Sequence, residues 1–188
     1  MSDDNLIAFR VTICGLNDLP QHCATGVSHV LSLLDSDVPR PAALDEYDGI
    51  AHELLNFDDV IEEYPGFAAP RAHHVGRILA FGERLRADRG THLLVHCHAG
   101  ISRSTASAAI LMAQFNPGRE TDAFLRLLDL RPHAWPNTRL VELADDQLAR
   151  NGALMTGLLA YRRAMLARKP HLRDVIRNIG RGHELPTE

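Results

Sequence analysis

Lysine is almost missing from this chain: Lys169 is the only one, and the other basic residues are arginine. Positive charge is not in excess either, since 24 acidic residues against 20 basic ones leave a formal net charge of -4. That balance removes any bulk electrostatic reason to bind nucleic acid or an anionic membrane, so attraction for a phosphate would have to be local. No apolar run approaches the roughly 18 residues of a spanning helix, and the opening MSDDNLIAFR is acidic where a secretion signal would be basic. The expectation is a cytoplasmic protein with no membrane or nucleic-acid partner. Cysteine is scarce and odd in number: Cys14, Cys23 and Cys97 do not suit a disulfide framework and leave at least one thiol free. Repeats and low-complexity tracts are also lacking. What remains is an ordinary globular composition, 45% hydrophobic and 23% charged, in 188 residues. We expect one domain over 1–168 and a polar tail over 169–188, partly helical or disordered.

Apolar patterning predicts strands at Phe9–Leu16, His29–Leu34, Gly49–Phe57 and 92–96, with room for a short helix over 17–24. Between the last two strands, Val75, Ile78, Leu79, Gly82 and Leu85 share one helical face over 71–89. After the fourth strand, SRSTASAAILMAQF over 102–115 reads as a helix of small residues suited to close packing. Further helices are expected near 120–130, 138–150 and 153–168, with Leu125, Leu128, Leu140, Leu143 and Leu148 as core candidates. Strands alternating with helices imply an α/β domain.

The chemistry concentrates at VHCHAGISRSTA, residues 95–106. A strand, a short loop and a helix N-terminus make an anion site, because the first amides of a helix lack internal partners and carry partial positive charge. Gly100 lets the loop backbone approach a ligand or take a positive φ, so that successive N–H groups point inward. Arg103 lies in the first helical turn, where a cation is unfavourable unless an anion is bound. Amides, a helix N-terminus and a guanidinium around Cys97 are the surroundings that lower a thiol pKa from about 8.5 to roughly 3.5–7.5, which would make it a nucleophile at neutral pH. The Ser104 hydroxyl is placed to donate to the sulfur, and Arg103 to clamp two phosphate oxygens bidentately. His96 and His98 flank the thiol, but neighbouring strand residues point to opposite faces, so the three do not close on one metal ion. Asp58 and Asp59, after the third strand, are open between a solvated turn and a catalytic acid.

HCHAGISRS, with His96, Cys97, five intervening residues, Arg103 and Ser104, resembles the phosphate-binding loop of the cysteine-dependent protein tyrosine phosphatase superfamily. It is closer to the dual-specificity branch than to the phosphotyrosine-specific one, where glycine would stand at Ser102. Over residues 9–150 the order of ICGL, GVSHVLSLLD, a strand ending in two aspartates and RPHAWPNTRL is similar to that of dual-specificity phosphatases. The resemblance implies a central, mostly parallel sheet of four or five strands with helices on both faces, and hydrolysis of a phosphate monoester. It implies Cys97 as nucleophile, Arg103 and the amides of His98, Ala99, Gly100, Ile101 and Ser102 as the phosphate cradle, and Ser104 as stabiliser of the departing thiolate. His96 would support the loop, and an upstream acid would protonate the leaving group: Asp59, with Asp58 as the rival. No metal or cofactor is called for. The expected partner is a phosphorylated protein or peptide, phosphotyrosine foremost, because the loop has no lysine at 98 or 101 for highly charged inositol lipids; a small phosphomonoester stays open. Two other readings remain, a rhodanese-like sulfurtransferase and a non-catalytic phosphate-binding module. Cys14 is open between a buried apolar residue and a disulfide partner of Cys97.

Overall fold

Four strands take up the apolar runs: β1 (Arg10–Gly15), β2 (His29–Leu34), β3 (Ala51–Asn56) and β4 (His92–Cys97). In the computed structural model, which describes residues 6–7, 9–85 and 90–187, they form one parallel sheet in the order β1-β4-β2-β3. The central strands of a parallel sheet are covered on both faces and therefore read as continuous apolar runs, while the edge strands β1 and β3 are only partly buried. All six residues of β4 and five of the six in β2 are buried. The register sets Gly15 beside Cys97, and Ser32 beside His96.

A 3-10 turn at Leu16–Asp18 leads into α1 (Leu19–Cys23), which covers one face of the sheet. There Cys14, Val30 and Leu94 pack with Leu19, Cys23 and Leu44. The other face is thicker. α2 (Ala72–Leu85) buries Val75, Ile78, Phe81, Gly82 and Leu85, while Leu79 of the expected stripe is only partly covered; residues 86–89 of the expected helix lie outside the described residues. α3 (Arg103–Phe115) runs through the centre, buried from Arg103 to Ala113, and its small residues permit the approach. At Gly82 a Cβ would stand 2.4 Å from Gln114 Oε1 and 2.6 Å from Leu111 Cδ2, which fixes how closely α2 meets α3.

The expected helix over 120–130 is two helices, α4 (Glu120–Leu125) and α5 (Leu127–Leu130). The chain passes from one to the other at Arg126, and Phe124 and Leu127, three residues apart on one face, both reach the core. The core candidates shift accordingly: Leu140 is fully buried, Leu125, Leu128, Leu143 and Leu148 are half-buried, and Ala123, Phe124, Leu127, Val141 and Ala144 take the interior places. α6 (Thr138–Gln147) starts at Asn137, whose side chain accepts from Leu140 N at 3.1 Å as an N-cap. α7 (Ala153–Arg168) and α8 (Leu172–Asn178) follow, and a last 3-10 turn at Gly182–Glu184 returns against Trp135, Leu166 and Ile176. Among the described residues no helix is long and apolar enough to cross a membrane.

In open parallel sheets ligand sites form beyond the carboxyl ends of the strands. Here Asp35 leaves β2, Phe57–Asp59 leave β3, and the 97–103 loop leaves β4, so three segments far apart in sequence converge at that edge.

Candidate active site

The loop after β4 is shaped by what its carbonyls do. His98 O accepts from Leu16 N at 3.0 Å, Ala99 O from Arg131 NH2 at 3.1 Å, and Gly100 O from Arg131 Nε at 3.0 Å. Ile101 O accepts from Trp135 N at 2.8 Å, and Ser102 O from Ala106 N at 3.0 Å and Asn137 N at 3.3 Å. Thr105 Oγ1 adds a second donor to Ile101 O at 2.6 Å and another to Ser102 O at 3.0 Å. In a trans peptide the N–H opposes its C=O. Five carbonyls held outward therefore turn the amides that follow them toward the hollow, where Gly100 N donates to Cys97 Sγ at 3.2 Å. Gly100 is the one residue type that fits: its φ is +69°, and a Cβ would stand 2.5 Å from the carbonyl carbon of Cys14.

Cys97 ends β4 on the α2/α3 face, 2% exposed, with Ser104 Oγ 3.2 Å from its sulfur. Arg103 is 3% exposed. Its NH1 donates to Phe57 O at 2.6 Å and pairs with Asp35 Oδ1 at 2.8 Å, while the buried Nε has no partner. One nitrogen thus anchors the guanidinium on the protein side and an unpaired buried donor remains, which is the arrangement of a clamp waiting for an oxygen acceptor.

The two aspartates have different surroundings. Asp58 Oδ2 accepts from Ala68 N at 2.6 Å, and Asp58 N donates to Ala68 O at 2.8 Å, which ties off the 59–67 segment. Asp59 turns to the loop after β4: its Oδ1 accepts from Ser102 Oγ at 2.7 Å and from Asn137 Nδ2 at 2.9 Å. Asn137, fully buried, also donates to Val60 O at 3.2 Å. Both donors to Asp59 fall on Oδ1, and Oδ2 has no donor among the described residues.

His96 and His98 diverge. His96 is fully buried and bonded to Ser32 Oγ at 2.6 Å on the α1 side of the sheet, and burial pushes its ring down to about 4. His98, half-exposed, faces Asp35 Oδ2 at 3.2 Å, and Ile101 stands on the rim 37% exposed. Cys14 packs on the face opposite Cys97, and burial followed by the Asp18 charge pushes its thiol up to about 12, which makes it an apolar core residue.

Sequence reasoning had no role for Asp35, Asn137, Arg131 or Trp135. The signals were an aspartate straight after a buried strand and the unassigned stretch RPHAWPN. His74, half-buried, packs tilted against Phe57 at 4.7 Å between ring centroids. It thereby backs the carbonyl that holds Arg103.

The fold is the α/β fold seen in solved dual-specificity and protein tyrosine phosphatases. Human DUSP28 is similar over 76% of this chain and 94% of its own, at 21% identity and a TM-score of 0.55. PTPMT1 in complex with PI(5)P matches 79% of this chain and 95% of its own, at 16% identity and a TM-score of 0.57. Cydia pomonella PTP-2 phosphatase matches 73% and 84%, at 25% identity and a TM-score of 0.56. No protein-family model matches the chain, and no curated protein matches it in sequence.

Proposed function

We propose that this protein is a cysteine-dependent phosphate monoester hydrolase of the dual-specificity type. One observation carries the reading: the outward-bonded carbonyls from His98 to Ser102 leave a ring of amides around Cys97, closed by the unpaired donor of Arg103. Such a cradle is complementary to the three equatorial oxygens of a transferring phosphoryl group. The Cys97 thiolate attacks phosphorus and forms a P–S bond as the P–O bond to the leaving group breaks. Asp59 gives its proton to the leaving oxygen. Asp59 then takes a proton from water as that water attacks phosphorus, the P–S bond breaks, the thiolate returns to the Ser104 hydroxyl, and phosphate departs. Ser102 and Asn137 support this assignment because they hold Oδ1 of Asp59 and leave Oδ2 for the proton.

The substrate we favour is a phosphorylated protein or peptide, phosphotyrosine foremost. The mouth carries His98, Ile101 and the acidic Asp35, with no lysine beside the loop, which suits one phosphate on an aromatic side chain better than a polyanionic headgroup. The test is p-nitrophenyl phosphate turnover in EDTA between pH 5 and 8. Wild type should turn over and Cys97→Ser should not; full activity in Cys97→Ser would overturn the mechanism. Phosphopeptide binding without turnover by wild type would favour the binding module, and cyanide-dependent sulfur transfer the sulfurtransferase.

A further inference from the structure

The loop machinery does not use a buried polar chain on the other face of the sheet. Ser32, on β2, is fully buried, and its hydroxyl touches two imidazoles: His96 Nε2 at 2.6 Å and His52 Nε2 at 2.8 Å. A hydroxyl has one proton. It donates to one ring and must accept from the other, so the chain runs in one of two directions, each fixing a different tautomer of His96.

Arg40 selects the direction. Its Nε donates to His52 Nδ1 at 3.4 Å, while its NH1 is tied to Asp45 Oδ1 at 2.8 Å and its NH2 to Leu44 O at 3.2 Å. A guanidinium has no acceptor atom, so Nδ1 of His52 is the lone-pair nitrogen and the proton of the neutral ring is on Nε2. His52 then donates to Ser32, Ser32 donates to His96 Nε2, and the His96 proton is left on Nδ1. Both rings are neutral at pH 7. Burial followed by the Arg40 charge lowers His52 to about 4, and burial lowers His96 to about 4, with the adjacent Glu53 opposing the shift at His52. Nδ1 of His96 is buried and has no hydrogen-bond partner among the described residues, while the backbone of Cys97, next in the chain, favours a proton on this ring against the effect of burial.

We propose that Arg40, His52 and Ser32 form a one-way hydrogen-bond chain that holds the His96 proton on Nδ1, one residue before the nucleophile, and that Ser32 and His52 are thereby positioning residues for the nucleophile loop. Their role in turnover rests on the phosphatase reading; the tautomer does not. In the other tautomer the lone pair would lie on the buried Nδ1, and the dipole of the ring next to Cys97 in the chain would be reversed.

The experiment is long-range proton–nitrogen correlation of the histidine rings in the full, nitrogen-15-labelled chain at pH 7, with kcat and KM for p-nitrophenyl phosphate measured beside it. Wild type should show His96 as the Nδ1–H tautomer and His52 as Nε2–H. Ser32→Ala and His52→Leu should each convert His96 to a tautomer mixture and lower kcat by about three- to tenfold, the worth of one net hydrogen bond, with KM little changed. His52→Gln, whose amide keeps a donor toward Ser32, should retain both the tautomer and the rate. The proposal is overturned if wild-type His96 is Nε2–H, or if either disabling variant leaves the tautomer unchanged. Should Ser32→Ala fail to fold, wild type and the two His52 variants decide the matter. A wild type without turnover but with the expected ring signals would sink the phosphatase reading and leave the chain standing.

Discussion

Asp58 and Asp59 are adjacent carboxylates, and their hydrogen bonds divide them. Asp58 is tied to the backbone of Ala68, whereas Asp59 is held by Ser102 and Asn137 at the loop after β4. A general acid contributes about 10²- to 10⁴-fold where the leaving group is poor. Asp59→Asn should therefore lose that factor on phosphotyrosine, and much less on p-nitrophenyl phosphate, whose phenolate leaves without help. Asp58→Asn, which only loosens a loop closure, should stay within about tenfold of wild type, since one net hydrogen bond is at stake. Comparing kcat for the two substrates in both variants checks this; equal losses would remove the distinction, and reversed losses would move the role to Asp58. Asn137 is tied to the same outcome, because it bonds Asp59 and Val60 while capping α6.

At the scale of elements, the turn from β4 into α3 depends on one backbone position. Gly100→Ala would meet the β1 backbone at 2.5 Å in addition to adopting a positive φ. Gly118→Ala is the control, with a φ of +85° and nothing within 4 Å. Left-handed strain alone costs about 1–2 kcal/mol, and displacing β1 should at least double that at Gly100. Urea midpoints of the two variants measure the difference, and similar midpoints would mean that the loop yields without moving β1. This turn was legible in the sequence because its strand, glycine, arginine and small-residue helix are contiguous. The two central strands, β2 and β4, were legible for a related reason: burial on both faces leaves unbroken apolar runs, whereas the edge strands β1 and β3 are only partly buried. Asp35 and Asn137 were not, since each acts on a residue remote in the chain: Arg103 lies on α3 while Asp35 leaves β2, and Asn137 reaches Asp59 across 78 positions. The break between α4 and α5 at Arg126 was hidden as well, because the apolar spacing over 120–130 runs across it unbroken, with Phe124 and Leu127 on one face.

Two properties belong to the whole molecule. His96 is lowered to about 4 by its burial, whereas an imidazole in the unfolded chain protonates near 6.5. Between those values the unfolded state binds the extra proton, so stability is fully present above about pH 6.5 and falls as pH drops toward 4, by roughly 3 kcal/mol for His96. His52 and His74, half-buried, add smaller losses in the same window. The melting temperature of wild type should fall more between pH 7 and 4.5 than that of His96→Asn, and equal falls would refute the assignment. The second property is the closure of the chain on itself. Glu184 in the final turn is buried and accepts from Arg162 NH2 at 2.7 Å, Arg181 Nε at 2.5 Å, Trp135 Nε1 at 2.9 Å and the Thr138 hydroxyl. Burial by itself would raise this carboxyl, and Arg181, Arg162 and Thr138 together hold it below its ordinary value. Arg162 is buried in turn and stacks on Trp135, whose amide supports Ile101 in the phosphate loop, so the tail and the site share one connection. Removing one partner of a buried ion pair costs about 3–5 kcal/mol because the other charge is left uncompensated. Glu184→Gln should show that loss in its urea midpoint, and because Trp135 is the only tryptophan and 3% exposed, its emission should move to longer wavelength as the tail detaches. Phosphatase activity should fall with the same midpoint, since the strand of chain that holds Ile101 is freed at that step. A red shift without loss of activity would mean that the loop keeps its shape without the tail, and an unchanged midpoint would mean that Arg162 finds solvent once its partner is neutral.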